Sequence, residues 1–473
     1  MSKINRKNIK RGINYFKRNG VKDGIYKVLE RLDRDKEEAD YTQQMLSSRP
    51  LGKELIKQKT HVFAHPFKIS ILVPVYETES DLLSQTIESV IAQTYGNWEL
   101  CIYDASKSDA RRGIINELIR KENKRYSDSF GSLHDKIRYK YSKDNKGISG
   151  NTNEALDMAT GDYIALLDHD DLLEPSALYE FMLEADKRAG YITGVSKRMP
   201  KVLLAYTDED KISYDNSRYF DVHRKPDFDP VLLCTNNYIC HFTIIDTALA
   251  RSVEGFHSAY DGAQDHDFVL RCTESIRRDS IVHIPKVLYH WRSTPSSTAE
   301  NPNAKLYAYE SGKRAVQDHL MRMGVKADVT DTPHMGFFNV TACESPKMDD
   351  FIVIVSDDLK AVSQRAIEIM LSDMAFDEIG AVTGKIIGIN GRIESAGYDK
   401  MPNGALSARF NGLNRHYSGY MHRANLQMVS KGFSKDLVLL RKDAIKSMDN
   451  EIILKDGYGI IYEPRAVFKR RKV

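Results

Sequence analysis

Cysteine is scarce in this chain of 473 residues, and the few cysteines are scattered. They are Cys101, Cys234, Cys240, Cys272 and Cys343. An odd number of cysteines without regular spacing is not typical of a disulfide framework or of a zinc-binding motif. Reduced thiols, as in a cytosolic protein, are the better interpretation.

A long apolar run, a secretory signal and a strong net charge are also missing. No apolar stretch approaches the length of a transmembrane helix, and the N-terminal segment lacks the apolar core of a signal peptide. The 69 basic and 66 acidic side chains nearly cancel, so the net charge of +3 predicts no nucleic-acid partner. We therefore expect a cytoplasmic protein, either free or peripheral on the inner face of the cell membrane.

From residue 69 onward, strand patterns alternate with helical patterns. Apolar runs of strand length lie at 69–75, 98–103 and 164–167, and segments with helical periodicity lie between them. This alternation predicts an α/β fold with a doubly wound, mainly parallel sheet. Ligands of such sheets bind outside the carboxyl ends of the strands, which here carry polar residues.

Three carboxylates, Asp168, Asp170 and Asp171, follow the apolar run at 164–167 directly. Like charges this close repel each other, and ionised carboxylates resist removal from water. A divalent cation that also binds substrate phosphates would resolve this conflict. An Asp-rich turn that caps the next helix is the alternative interpretation.

From about residue 67 to 300, the chain resembles a family 2 glycosyltransferase with the GT-A fold. The motifs that carry the resemblance are, in chain order, ILVPVY (71–76), Asp104, NKGIS (145–149), GDYI (161–164), DHD (168–170), YTDED (206–210), GAQDHD (262–267) and LYHWR (288–292). Each motif is common by itself, whereas their joint order and spacing are specific to the family.

The resemblance implies an inverting, metal-dependent hexosyltransferase. Its donor would be a UDP- or dTDP-linked sugar and its cofactor Mn²⁺ or Mg²⁺. Its acceptor would be a glycan or lipid-linked glycan of the bacterial surface, such as capsule, O-antigen or cell-wall polysaccharide. Asp265 matches the family's catalytic Asp and is the predicted general base. A purely structural role, as the cap of a helix at 268–276, is the alternative.

The resemblance also assigns the other site residues. Nucleotide binding is predicted for Pro74, Val75, Tyr76, Glu77, Asp104, Asn145, Gly147 and Asp168. Metal binding is predicted for Asp170 and His290, although a lone histidine after a strand is often simply packed or solvated. The donor-sugar or acceptor side is predicted to include Asp208, Glu209, Asp210, Gln264 and Arg292. For the acidic run at 208–210, the alternative is a metal-free polar turn. For Arg292, the alternative is a solvated loop.

Residues 1–66 are predicted to form a basic helical arm ahead of a catalytic domain at 67–333. Residues 1–31 contain ten Lys and Arg against two acidic residues. Apolar residues fall on two helical faces, before and after a break at Asn19-Gly20: Ile9, Ile13 and Phe16, then Val21, Ile25, Val28 and Leu32. Such a helix can lie on an anionic membrane surface; an arm packed on the catalytic domain is the alternative.

Residues 334–473 look like the later half of a second family 2 domain. An apolar run at 351–355 precedes Asp357 and Asp358, which repeats the strand-then-acid pattern. A nucleotide-binding first strand and a base motif are missing, and Lys469 stands where such domains often have His. We therefore expect a reduced, inactive relative of the catalytic domain.

Two other functions fit the same sheet. A sugar nucleotidyltransferase would carry a Gly-rich basic loop after the first strand, whereas the loop at 76–81 is acidic and free of glycine. A catalytically dead glycan-binding module would have no need of Asp170 and Asp265. The acidic, glycine-free loop and the presence of Asp170 and Asp265 therefore both favour the transferase.

Overall fold

The computed structural model describes residues 6–123, 132–190, 199–293, 306–448 and 451–472. Its helices are α1 (Arg6–Glu37), α2 (Tyr41–Ser48), α3 (Gly52–Lys59), α4 (Ser80–Ile91), α5 (Ala110–Asn123), α6 (Leu133–Lys136), α7 (Gly147–Met158), α8 (Ala177–Gly190), α9 (Pro230–Thr235), α10 (Thr247–Ser252), α11 (Gln264–Glu274), α12 (Leu306–Arg322) and α13 (Ala366–Asp373).

The strands of the first half are β1 (Ile69–Val75), β2 (Trp98–Asp104), β3 (Ile137–Tyr141), β4 (Tyr163–Leu166), β5 (Leu172–Leu173), β6 (Leu204–Ser213), β7 (Tyr219–His223), β8 (Thr243–Asp246) and β9 (Ile281–Ser293). Those of the second half are β10 (Ala327–Asp331), β11 (Phe338–Ala342), β12 (Phe351–Val355), β13 (Leu359–Ala361), β14 (Ile379–Ile387), β15 (Ile393–Ala396), β16 (Tyr398–Lys400), β17 (Leu406–Ala408), β18 (Met428–Val429), β19 (Leu437–Arg441), β20 (Ile445–Ser447), β21 (Ile453–Leu454) and β22 (Gly459–Arg470).

The chain forms two compact units. The central unit comprises Glu38–Phe228 and Asn237–Ala315, and the terminal unit comprises Met1–Glu37, Asp229–Asn236 and Val316–Val473. Contacts thus group residues 38–66 with the central sheet and residues 1–37 with the terminal one. The domain boundaries at 66 and 333 stay a prediction.

The central unit is built on one mixed sheet with the strand order β3-β2-β1-β4-β8-β6-β9-β5, to which β7 adds on β6. Strands β1 to β4 pair in parallel, as do β6 and β9. Strand β8 runs antiparallel to β4 and β6, and β5 runs antiparallel to β9. The predicted α/β class is confirmed, and the sheet is parallel only in part.

The core of this unit follows from the apolar runs. Every residue of β1 and β2 is buried, as expected for strands covered on both faces. Helix α4 packs on the sheet through Leu83, Ile87 and Val90, which recur at helical spacing and are fully buried. This packing fixes the strand ends, and therefore the loops that follow them.

The terminal unit repeats part of this topology. Its main sheet has the order β12-β19-β14-β22-β13, with β14 and β22 parallel and the other neighbours antiparallel. The segment β4-β8-β6-β9-β5 of the central sheet has the same order and the same directions. The strands also succeed one another along the chain in the same sequence in both units.

The N-terminal helix is interrupted where the sequence predicts a break. Gly20 in α1 has φ +83°, outside the right-handed helical region. Glycine adopts this conformation without the steric penalty of a Cβ atom. Within the described residues, no helix is both long enough and apolar enough to cross a bilayer.

Candidate active site

Strand ends converge at one edge of the central sheet. Val75 pairs with Asp104 at the carboxyl ends of β1 and β2, and Leu72 pairs with Leu166 at the end of β4. Because β8 runs antiparallel to β4, the residues that precede β8 lie at the same edge. The loops after β1, β2 and β4 and the segment before β8 therefore surround one site.

The predicted carboxylates form the centre of this edge. The side chain of Asp168 is 51% exposed, whereas Asp171 is buried. The Oδ2 atom of Asp171 accepts a hydrogen bond from the Tyr289 hydroxyl at 2.5 Å, and its Oδ1 atom accepts one from the Arg292 backbone N–H at 2.7 Å. The Arg292 Nε atom donates to the carbonyl oxygen of Asp170 at 2.7 Å. Strand β9 thus holds the acidic loop in place.

The described residues place too little positive charge near these carboxylates to balance their negative charge. Burial raises the pKa of Asp171 well above its ordinary value, and the charges of Asp168 and Asp170 raise it further. Burial also raises the pKa of Asp170, with Asp168 adding to the rise and His169 opposing it. A divalent cation at this edge would favour the ionised form of all three carboxylates.

A histidine that was not predicted joins two of these carboxylates in a candidate cation site. Asp168, Asp171 and His241 each offer a ligand atom, and these atoms lie within 4.8 Å of one another. The His241 ring stacks on Tyr289, with centroids 4.6 Å apart, and its Nδ1 atom is buried with no hydrogen-bond partner among the described residues. Two carboxylates and an imidazole fit a transition-metal ion such as Mn²⁺ better than Mg²⁺, which prefers oxygen ligands.

Arg292 is buried beside the carboxylates. Its Nη1 atom donates to the Tyr214 carbonyl oxygen and to Asn216 Oδ1. Its Nη2 atom is buried and meets no acceptor in the described part of the chain. Such a buried donor is costly unless a ligand satisfies it. The predicted place of Arg292 on the donor side stays a prediction.

The predicted nucleoside-binding residues line the ends of β1 and β2. Pro74 and Val75 are buried, and Tyr76 is 43% exposed. Asp104 is buried and accepts hydrogen bonds from the Ser106 backbone N–H at 3.0 Å and from the Tyr139 hydroxyl at 2.8 Å. These bonds hold the carboxylate at the strand end.

Glu77 links the first two loops of the edge. Its backbone N–H donates to the Ser106 hydroxyl at 2.9 Å, and its Oε1 atom accepts from the Lys107 backbone N–H at 2.7 Å. In this arrangement Glu77 holds the loop after β1 against the loop after β2. Its predicted contact with the nucleotide stays a prediction.

The predicted residues Asn145 and Gly147 shape the start of α7. The Asn145 Oδ1 atom accepts from the Gly147 backbone N–H at 3.1 Å and from Asn151 Nδ2 at 2.9 Å. Gly147 has φ +75°, and a Cβ atom there would lie 2.8 Å from Asp261 Oδ2. The positive φ therefore favours glycine at this turn.

The predicted base Asp265 belongs to the same region. It is the second residue of α11, so it lies inside the helix, and Ala263 occupies the N-cap. Its Oδ2 atom accepts a hydrogen bond from Asn237 Nδ2 at 2.9 Å. Burial raises the pKa of Cys240, and the charges of Glu209, Asp265 and Asp168 raise it further.

Gln264, next to Asp265, has a local structural contact. Its Oε1 atom accepts a hydrogen bond from the Gly262 backbone N–H at 2.9 Å. This bond fixes the turn that leads into α11. The placement of Gln264 on the donor or acceptor side stays a prediction.

His290 lies in a different environment from the one the resemblance implied. Its Nδ1 atom is 2.6 Å from Asp210 Oδ1, and its Nε2 atom is 2.7 Å from Glu174 Oε1. Burial alone would lower the pKa of His290, but Asp210 and Glu174 outweigh it and raise the pKa to about 9. Carboxylates thus occupy both ring nitrogens, which favours a structural role. The metal-ligand role stays a prediction.

The side chains of the acidic run in β6, Asp208 to Asp210, make contacts inside the central unit, and not all of them lie at the candidate site. Asp208 accepts hydrogen bonds from the Lys225 backbone N–H and from His283 Nε2, each at 2.8 Å. Glu209 accepts from the His241 backbone N–H at 3.1 Å. The predicted sugar-side roles of Asp208, Glu209 and Asp210 stay predictions.

Residues 70–244 match the family model described as Glycosyl transferase family 2. This chain contains a family 2 glycosyltransferase domain. The predicted family is thereby confirmed, and together with the strand order so is the predicted GT-A type of fold.

Curated relatives agree with this assignment over part of their length. The uncharacterized protein y4gI of Sinorhizobium fredii is 41% identical over 254 residues, which are 54% of this chain and 25% of that protein. The O-antigen biosynthesis protein RfbC of Myxococcus xanthus is 31% identical over 263 residues, which are 55% of this chain and 19% of that protein. The chain thus matches a quarter or less of either relative.

A solved structure of S. aureus TarS residues 1–349 in complex with UDP-GlcNAc shows a weaker likeness. It has a TM-score of 0.41 and 17% sequence identity, and the match covers 54% of this chain and 66% of that one. The fold assignment therefore rests on the strand order and the family match.

Proposed function

We propose that this chain is an inverting, metal-dependent glycosyltransferase that moves a hexose from a nucleotide-diphosphate donor to a bacterial surface glycan. The observation that carries the proposal is the sheet edge of the family 2 domain. Three carboxylates, an imidazole and a buried guanidinium with an unsatisfied donor meet there.

Asp168, Asp171 and His241 would hold the divalent cation, with Asp170 beside them. When bound, the cation supplies charge neutralisation for the diphosphate leaving group. Arg292 would donate from its Nη2 atom to a phosphate oxygen, which satisfies the buried donor. Tyr289 and Glu209 position the ligands, because they bind Asp171 and the His241 backbone.

Asp265 would act as the general base for the acceptor hydroxyl. Asn237 donates a hydrogen bond to one carboxylate oxygen, and the other oxygen would accept the proton of the acceptor hydroxyl. The acceptor oxygen then forms a bond to the anomeric carbon as the bond to the diphosphate breaks. One displacement by one nucleophile inverts the anomeric centre.

The nucleoside would lie at the ends of β1 and β2, beside Tyr76 and Asp104. We propose a UDP- or dTDP-linked donor. Support for a polysaccharide acceptor comes from the printed names of relatives. One is the RfbC protein, and another is the chondroitin synthase of Escherichia coli, 28% identical over 261 residues.

The basic arm is proposed to contact an anionic membrane surface. The second half of α1 exposes a stripe of apolar side chains at helical spacing: Val21, Ile25, Val28, Leu29 and Leu32. An exposed apolar stripe preceded by many basic residues suits the interface of an anionic bilayer. The cytoplasmic location expected from the sequence belongs to the same proposal.

The test is release of nucleoside diphosphate from a panel of UDP- and dTDP-linked sugars, with Mn²⁺, with Mg²⁺ and with chelator. One donor should release its nucleoside diphosphate, and only when Mn²⁺ or Mg²⁺ is present. Asp265→Asn should lower turnover by about a hundredfold or more while donor binding persists. Asp157→Asn, which removes an exposed carboxylate of α7, is the matched control. Loss of donor affinity with normal turnover of bound donor would make Asp265 a binding residue.

A further inference from the structure

The repeated topology gives five strands of the terminal sheet, β12, β19, β14, β22 and β13, a counterpart in the central sheet. Arg470 pairs with Leu359 across β22 and β13, as His290 pairs with Leu172 across β9 and β5. Asp358 directly precedes β13, as Asp171 directly precedes β5. Arg470 therefore occupies the strand position of His290, and Asp358 occupies that of Asp171.

Three carboxylates at this edge of the terminal sheet share the guanidinium of Arg470. Arg470 donates to Glu394 at 2.6 and 2.9 Å, to Asp436 at 2.7 Å, and to Asp358. The hydrogen bonds from Arg470 also lower the pKa of Asp358. A fixed guanidinium thus supplies the positive charge that a metal ion would supply in the central unit.

A basic groove lies at the same edge. It has a volume of about 500 Å³, and no carboxylate occurs among its described lining residues. The basic side chains that line it are Lys360, Lys469, Arg470, Arg471 and Lys472. Val362 and Ile389 add an apolar surface and are 65% and 51% exposed. Since Arg470 is committed to its three carboxylates, the other four cations are available to a ligand.

We propose that this groove is a metal-independent binding site for a phosphate or diphosphate group. Clustered lysine and arginine side chains bind phosphate oxygens through charge-assisted hydrogen bonds and need no bridging cation. Lys360 and Lys469 face each other as a strand pair, and Arg471 and Lys472 follow on the same strand end. The phosphate group could be that of a soluble ligand or of a lipid headgroup, and the chemistry is the same for both.

The test uses two probes in the presence of chelator. The first is inorganic pyrophosphate, titrated by calorimetry, and the second is vesicles of equimolar phosphatidylglycerol and phosphatidylcholine, measured by sedimentation. The groove variant carries Lys360→Glu, Lys469→Glu and Arg471→Glu. The control carries three exposed lysines of the same unit changed in the same way: Lys347→Glu, Lys400→Glu and Lys446→Glu.

The groove variant should bind at least one probe at least about tenfold more weakly than the wild type, while the control stays near the wild type. Loss of pyrophosphate binding indicates a soluble ligand, and loss of vesicle binding alone indicates a lipid headgroup. If wild type binds neither probe, if both variants behave alike, or if binding requires Mn²⁺, the proposal is wrong. Lys→Gln and Arg→Gln changes at the same positions replace the groove variant if its melting temperature falls.

Discussion

Replacing His290 with glutamine should destabilise the central unit and leave its metal affinity unchanged. His290 lies between Asp210 and Glu174, whose carboxylates also contact Tyr41 and Arg49. The neutral glutamine leaves two buried carboxylates with less compensating charge. Breaking a buried ion pair typically costs about 3–5 kcal/mol. Because Tyr41 and Arg49 remain, we expect a loss near the lower limit of that range.

The effect should depend on pH in a defined direction. The pKa of His290 rises from 6.5 to about 9 on folding, which corresponds to roughly 3 kcal/mol of unfolding free energy. A raised pKa gives stability that is complete below the unfolded value and is lost as the pH rises through the folded value. The difference between wild type and His290→Gln should therefore be largest below about pH 6.5, fall as the pH rises from 6.5 to 9, and be almost lost above about pH 9.

Tryptophan fluorescence offers a selective assay. The chain has two tryptophans, Trp98 and Trp291, and both belong to the central unit. Urea unfolding at a series of pH values, with the exposed His134→Gln as control, gives the free energies. An unchanged unfolding free energy together with a large fall in Mn²⁺ affinity would refute this reasoning and make His290 a metal ligand.

Three further predictions concern the metal carboxylates, the terminal sheet and the basic arm. Asp170→Asn should abolish sugar transfer and weaken donor binding, and full activity of the wild type in excess chelator would contradict the metal assignment. Asp357→Asn combined with Asp358→Asn should keep donor turnover near the wild-type rate, although the second change removes an ion pair with Arg470. A double mutant with a normal melting temperature but no turnover would show that these carboxylates take part. Deleting residues 1–31 should reduce binding to anionic vesicles, and the wild-type binding should fade as salt rises; a full-length protein that ignores such vesicles at low salt would make the arm structural.

The centre of the candidate site could be predicted because it follows a local pattern. Apolar runs that end in Asp104 or Asp168 indicate strand ends, and parallel strands bring those ends to one edge. His241 escaped prediction because it precedes its strand instead of following it. The antiparallel direction of β8 brings His241 to the edge of the sheet. The apolar pattern of a short strand does not reveal the direction in which the strand runs.

The environment of His290 could not be predicted for a different reason. Its contacts come from Glu174 and Asp210, and these are held in turn by Arg49 and Tyr41, which lie far away in sequence. A resemblance transfers a residue's position along the chain but not its partners in space. The same limitation hid Arg470, whose role becomes visible only when the strand register of the two sheets is compared.

The most direct measurement is a crystal structure with Mn²⁺ and UDP, with the ion located by its anomalous scattering. The account predicts one Mn²⁺ bound to side chains from the set Asp168, Asp170, Asp171 and His241, with the diphosphate next to Arg292. An ion bound at His290, or a diphosphate away from this edge, would contradict it.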